Sequence, residues 1–163
     1  MGDFKTDIED AQFALYQDLE KNKKIMPNYL LNSIRDKFLN GFEKGWISAI
    51  KEPNNSSIDP TLKEYLEMNT SKELTENYYN LGYALGIIVG VLSNHPREVL
   101  HRIQSYQIFV RVLKANKPYY DFMLRRIQLW RLRWKLLINT EFKELQAPEK
   151  RAYFIFVKNY TRV

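Results

Sequence analysis

Residues 81–92 read Leu-Gly-Tyr-Ala-Leu-Gly-Ile-Ile-Val-Gly-Val-Leu, an uninterrupted apolar run of 12 residues in a chain of 163. Gly82, Gly86 and Gly90 recur every four residues and therefore lie on one face of a helix. Each glycine inside a helix costs about 1 kcal/mol relative to alanine, so three on one face indicate close contact with another backbone. Gly41 and Gly45 form a second smooth face on an earlier helix. We therefore predict that these two helices cross closely.

The same spacing of small residues also drives helix pairing within membranes. A membrane-spanning helix, however, needs about 20 apolar residues, and this run has 12. We expect a buried core helix and no integral membrane insertion.

The rest of the chain has the apolar spacing of one helix after another. Thr6 with Glu9, and Thr70 with Glu73, fit the capping-box pattern at two helix starts. We predict a single all-α domain over residues 1–163, a helical bundle of five to seven helices. Acidic N-terminal helices occupy 5–50, a loop 51–59 and basic C-terminal helices 60–163. Residues 152–160 could form a strand, but no partner strand is evident, so we predict a terminal helix.

Two apolar seams with alternating spacings of four and three residues predict a basic antiparallel helical hairpin at about 96–138. The first seam consists of Val99, Ile103, Tyr106, Val110 and Leu113, and the second of Met123, Ile127, Trp130, Trp134 and Leu137.

Charge is distributed unevenly along the chain. Residues 1–81 contain 10 Lys and Arg against 14 Asp and Glu, a net charge of −4, whereas residues 82–163 contain 15 against 5, a net of +10. Within 97–135 there are 10 basic residues, opposed only by Glu98 and Asp121. A field of this kind attracts acidic partners.

The hairpin supplies the candidate binding residues, for a protein partner or for nucleic acid: Arg97, Arg102, Arg111, Lys114, Tyr119, Tyr120, Arg125, Arg126, Arg131, Arg133 and Lys135. We expect a non-enzymatic binding or regulatory module, an adaptor, assembly factor or inhibitor, that docks on an acidic protein surface. The alternative is a nucleic-acid-binding protein that contacts phosphates through the same face. Attachment to an anionic membrane surface is a third reading, and the oppositely charged halves also permit a homo-oligomer.

Simpler interpretations apply to parts of this pattern. An arginine-rich helical face is often just a solvated one, and Trp130 and Trp134 fall on the apolar seam, where we expect them in the core. Asp3, Asp7, Asp10, Asp18 and Glu20 are expected to lie on a solvated helix face rather than to bind a metal.

The sequence offers no recognisable catalytic motif. His95 and His101 do not share a helix face, and no glycine-rich phosphate loop or nucleophile elbow is present. There is no cysteine, which excludes disulfides and fits a reducing compartment. We expect no enzymatic activity, cofactor or metal, and a cytoplasmic location.

Overall fold

The computed structural model describes residues 3–21, 26–51, 73–141 and 146–151, with side chains omitted at 103, 104 and 133–141. These ranges hold five α-helices, α1 (Phe4–Glu20), α2 (Asn28–Lys51), α3 (Leu74–Asn94), α4 (Ile103–Leu113) and α5 (Lys117–Glu141). A 3-10 helix spans Pro96–Arg102, and residues 147–151 form a further helical turn. The all-α prediction is confirmed. The predicted loop beyond residue 51, the first residues of the predicted C-terminal helices, 60–72, and the terminal helix at 152–160 lie outside the described residues.

The N-termini of α1 and α3 differ from the predicted capping boxes. Asp3 is the N-cap of α1: its carboxylate accepts a hydrogen bond from the Lys5 N–H at 3.0 Å and another from the Thr6 hydroxyl at 2.7 Å. The Thr6 hydroxyl is the main reason why the pKa of Asp3 is lowered. The helix therefore begins earlier than predicted, because Asp3 is itself a good cap. In α3, Glu73 is itself the N-cap and makes no side-chain capping bond, whereas the prediction made it the third residue of the helix; Thr70 lies outside the described residues.

Helices α2 and α3 are the most closely packed pair, as the glycines predicted. A Cβ on Gly82 would collide with the carbonyl oxygen of Phe38, and one on Gly86 with that of Phe42. In return, a Cβ on Gly41 would collide with the carbonyl oxygen of Tyr79. Because the contacting residue numbers rise together on both helices, α2 and α3 run parallel.

The apolar run in α3 is a core helix. Its residues 81, 82 and 84–92 are buried, and Tyr83 is half-buried. On the other side of the contact, α2 buries Ile34, Phe38, Phe42 and Trp46. Within the described ranges, no helix is both long enough and apolar enough to span a bilayer.

The 96–138 region is less regular than two long helices. Its first part is the 3-10 helix, and the 11 residues of α4 follow. A turn over residues 114–116 leads into the 25 residues of α5. The described seam side chains, from Val99 and Tyr106 to Ile127 and Trp130, are buried. Antiparallel packing along the whole length remains a prediction.

Candidate binding surface

Arg126 is the clearest correction to the predicted site. Its side chain is only 4% exposed. One guanidinium nitrogen donates to Asp7 at 2.5 Å, and the other donates to Asp10 and, at 3.4 Å, to the Thr6 carbonyl oxygen. The guanidinium also lies 5.8 Å from the centre of the Phe122 ring. Arg126 therefore joins α5 to α1 inside the protein and does not face a partner.

Asp7 collects hydrogen bonds from three other helices. Besides Arg126 of α5, its carboxylate accepts from Trp46 Nε1 of α2 at 2.9 Å and from the Ser93 hydroxyl of α3 at 2.6 Å. Asp7 is 2% exposed. The expectation that Asp7 lies on a solvated face is wrong, because these three donors replace the water that the carboxylate loses.

Asp18 forms a second internal junction three turns further along α1. Its carboxylate accepts from the Tyr78 hydroxyl at 2.7 Å and from the Tyr119 hydroxyl at 2.6 Å. Asp18 is 8% exposed, and Tyr119 is fully buried. Tyr119, predicted as a surface anchor, instead ties α5 to α1. Asp18, like Asp7, was wrongly expected on a solvated face.

Arg97 and Arg102 are partly engaged within the protein. Arg97 and His101 face Glu149, with N–O distances of 3.6 and 3.4 Å. Burial raises the pKa of Glu149, but the Gln146 N–H and the nearby Arg97 and His101 outweigh it, so the pKa is lowered overall. Arg102 is half-buried and has contacts of its own.

Four of the predicted cations stay on the surface, namely Arg111, Lys114, Arg125 and Arg131. None of these forms an ion pair with another described residue. Tyr120 is half-buried. Arg133 and Lys135 belong to α5, but their side chains lie outside the described part. The structure thus divides the predicted site into an internal set and an exposed set.

Exposed aliphatic side chains accompany the exposed cations, and they were not predicted from the sequence. Ile108 is 46% exposed and Val112 42%, and with Arg111 they form what we term the α4 stripe. Leu129 is 40% exposed and Leu132 60%, and with Arg125 they form the α5 stripe. The α4 stripe lies opposite the buried face of its helix, and the α5 stripe lies to one side of the buried face. In the sequence, these side chains can be found as the apolar positions of the hairpin that belong to neither of its two seams.

The aromatic residues of the same region face inwards. Tyr106, Phe109, Tyr119, Phe122 and Trp130 are each at most 1% exposed. Trp130 Nε1 donates to the Pro96 carbonyl oxygen at 2.9 Å, so its expected place in the core is confirmed. In residues 97–132, the exposed apolar side chains that the structure describes are therefore aliphatic rather than aromatic.

Two adjoining clefts, of about 480 and 350 Å³, lie on either side of Tyr16 near the end of α1. Glu20 also lines both. The larger cleft includes Lys117 and Asp121, which form an ion pair at 3.7 Å. Within the described ranges, no three His, Asp or Glu side chains are placed to hold a metal ion.

Comparison of the chain with protein-family models, with curated proteins and with solved structures found no match.

Proposed function

We propose that this protein is a non-enzymatic docking module that binds an acidic protein surface through the α4 and α5 stripes. The observation that carries the proposal is the pairing of exposed aliphatic side chains with arginines that have no ion partner among the described residues. Its role as adaptor, assembly factor or inhibitor depends on the partner.

The two kinds of side chain have separate roles in docking. Arg111 and Arg125 would steer an acidic partner towards the stripes and set its orientation. Burial of Ile108, Val112, Leu129 and Leu132 would then contribute about 25 cal/mol for each Å² of apolar surface removed from water. Scattered surface leucines are ordinary, but pairs at helical spacing beside unpaired cations resemble the anchors of a helix-to-helix contact.

Nucleic acid is the alternative partner, since the same arginines could contact phosphates. Proteins that bind single strands usually add aromatic platforms on which bases stack. The aromatic side chains that the structure describes in residues 97–132 are buried, apart from half-buried Tyr120. An aliphatic stripe gains more from an apolar protein surface, so the protein partner is favoured.

Site-specific crosslinking in the native host tests this proposal. A photoreactive amino acid at position 112 or 129 should capture a protein, whereas one at Tyr29, which is 77% exposed on α2, should not capture the same protein. The captured protein is then purified, and its affinity for the chain is measured by calorimetry.

We expect the double substitutions I108D/V112D and L129D/L132D each to weaken binding at least about tenfold, the scale of one lost interface anchor. The control I47D changes a side chain on α2 that is exposed to the same 40% as Leu129, and it should leave the affinity unchanged. Adducts that contain nucleic acid would favour the alternative. The absence of adducts, or equal affinity of all variants, would overturn the proposal.

A further inference from the structure

The helical turn at residues 147–151, which we call the 147–151 turn, reaches the 3-10 helix through one side chain, Glu149. Its Oε1 accepts the N–H of Gln146, the residue before the turn, at 3.1 Å. Glu149 is the third residue of the turn, where a Glu or Gln commonly bonds back to the N-cap N–H. Its Oε2 lies 3.6 Å from Arg97 Nε and 3.4 Å from His101 Nε2. One carboxylate therefore caps its own turn and faces two nitrogen groups of the 3-10 helix.

The contact of Glu149 Oε2 with these nitrogens is incomplete. Charge-assisted N–H···O bonds are usually about 2.7 to 2.9 Å long, and both distances exceed this range. The oxygen is buried and makes no hydrogen bond with any residue that the structure describes. Because a buried acceptor without a hydrogen bond is unfavourable, this contact holds the 147–151 turn only weakly.

Arg97 and His101 keep binding capacity beyond this contact. Their side chains are 45% and 52% exposed, whereas that of Glu149 is 13% exposed. Arg97 approaches Glu149 with Nε, and its two terminal nitrogens form no ion pair with a described residue. A guanidinium has five N–H donors in a planar fork that fits a carboxylate, and an imidazole adds one donor when neutral and two when protonated. The two side chains together have the chemistry of a carboxylate-binding site whose present occupant is poorly bonded.

We propose that Arg97 and His101 form a carboxylate-binding site that Glu149 occupies from within the chain, and from which an acidic segment of a partner protein displaces it. Glu149 is then an internal competitor, and the 147–151 turn leaves when the partner binds. The inference rests on the proposed function in one respect, the choice of an acidic protein as the competitor. Ile108 of the α4 stripe follows His101 by seven residues, roughly 10 Å along a helix, so a partner on that stripe is close to the site.

The competition should be of moderate strength. Exposed ion pairs are weak, and the contacts of Glu149 with Arg97 and His101 are of this kind on the side of the 3-10 helix. The apparent affinity of a competitor is reduced by the fraction of molecules in which the site is open. Two such pairs favour the occupied state by about threefold to tenfold, and removal of the Glu149 charge should strengthen binding by the same factor.

Nuclear magnetic resonance of the histidine rings provides the test, because the chain has only two histidines. The probe is a tetraglutamate peptide, added at constant pH and ionic strength while the ring signals of His101 are followed. His95, whose Nε2 lies 3.2 Å from the Ile50 carbonyl oxygen, is the internal control and should not respond. E149Q retains an oxygen for the Gln146 N–H but loses the charge, so the turn keeps its cap while the site opens. We expect E149Q to bind the probe about threefold to tenfold more tightly than the wild type.

Matched variants identify the site. E43Q removes an exposed carboxylate of α2, changes the net charge equally and should bind the probe like the wild type. R97M/E149Q should lose the gain of E149Q, whereas R125M/E149Q should retain it. If E149Q changes the circular dichroism of the chain, E149K, which repels Arg97, takes its place and should show at least the same gain. Equal affinity of the wild type and the Glu149 variant for the probe, or His101 signals that the probe moves in neither, would overturn the inference.

The proposed function is tested separately, because the probe titration uses no partner protein. The partner captured at position 112 or 129 should bind E149Q more tightly by the same factor as the probe does. Capture of a partner without any effect of E149Q on either affinity would refute only the internal competition. A response of His101 to the probe without any captured protein would refute only the proposed function.

Discussion

At the scale of single residues, the organising feature is a pair of buried carboxylates on α1. A buried carboxylate is tolerated when hydrogen bonds replace its water, and Asp7 obtains them from Trp46, Ser93 and Arg126. Asp18 obtains them from Tyr78 and Tyr119. Each carboxylate brings side chains from separate helices to one point. We infer that these polar junctions set the rotation of α1 against its neighbours.

We predict that R126M destabilises the protein strongly, by about 3 to 5 kcal/mol, because it leaves Asp7 buried without its ionic partner. Chemical denaturation gives the free energy of unfolding. The neighbouring substitution R125M is the matched control. Arg125 is exposed, so R125M should change stability by no more than about 0.5 kcal/mol.

The double substitution D7N/R126M completes this comparison. It removes both charges. Its loss of unfolding free energy should be smaller than the sum of the losses measured for R126M and D7N alone. If R126M and R125M had equal, small effects, the buried ion pair would not contribute to stability as we infer.

At the scale of elements, the parallel pair α2 and α3 depends on glycine for its closeness. At Gly41, Gly45, Gly82 and Gly86, the position that a Cβ would occupy points at a carbonyl oxygen of the other helix. The glycine hydrogen there can form a weak Cα–H···O contact, worth about 0.5 to 1 kcal/mol. These contacts, together with the apolar side chains beside them, offset the helix propensity that the glycines lose.

We predict that G86A is destabilising by about 1 to 3 kcal/mol, the usual range for overpacking, although alanine is the better helix former. The added methyl group would collide with the Phe42 carbonyl oxygen, and backbone cannot move aside. Thermal and chemical unfolding measure the change. A stabilised G86A would contradict the close packing of α2 and α3.

G90A is the matched control, since a Cβ there would first meet the Ala49 Cβ, at 2.8 Å. Part of its effect should be relieved by the second substitution A49G. No such second substitution can relieve G86A, because the atoms that its added methyl group would meet belong to the backbone of Phe42.

At the scale of the whole molecule, stability should be concentrated around the α2–α3 contact. Residues 84–92 form the longest uninterrupted buried segment that the structure describes. Regions with deep burial open only with most of the protein, whereas segments with partial exposure open locally.

We predict that hydrogen exchange is slowest in the amides of 34–49 and 81–92 and faster in the 3-10 helix, Pro96–Arg102. That helix has a tighter and poorer hydrogen-bond geometry than an α-helix, and several of its residues are exposed or half-buried. Exchange followed by mass spectrometry resolves these segments. Equal protection of both regions would argue against a stability centre at the α2–α3 contact.

On the folded molecule, charge is distributed differently from its distribution along the sequence. Some of the acidity of the N-terminal half is internal, because Asp7 and Asp18 are buried, while Glu9 and Glu20 remain outside. On the basic side, Arg126 is internal and Arg125 external. The surface charge that a partner meets is therefore smaller than the residue counts indicate.

The sequence by itself determined the all-α class, the buried state of residues 81–92 and the close crossing of the two glycine faces. These follow from helical periodicity and from the need of glycine for a near neighbour, both of which can be read from residues a few positions apart. Only the tertiary structure decided that Arg126 and Tyr119 are internal while Arg125 is external. The partners of Arg126 and Tyr119 are Asp7 and Asp18, more than 100 positions away. A long charged side chain beside a seam can reach solvent or an internal carboxylate, and which it does depends on the helix packed opposite, a contact that local spacing does not encode.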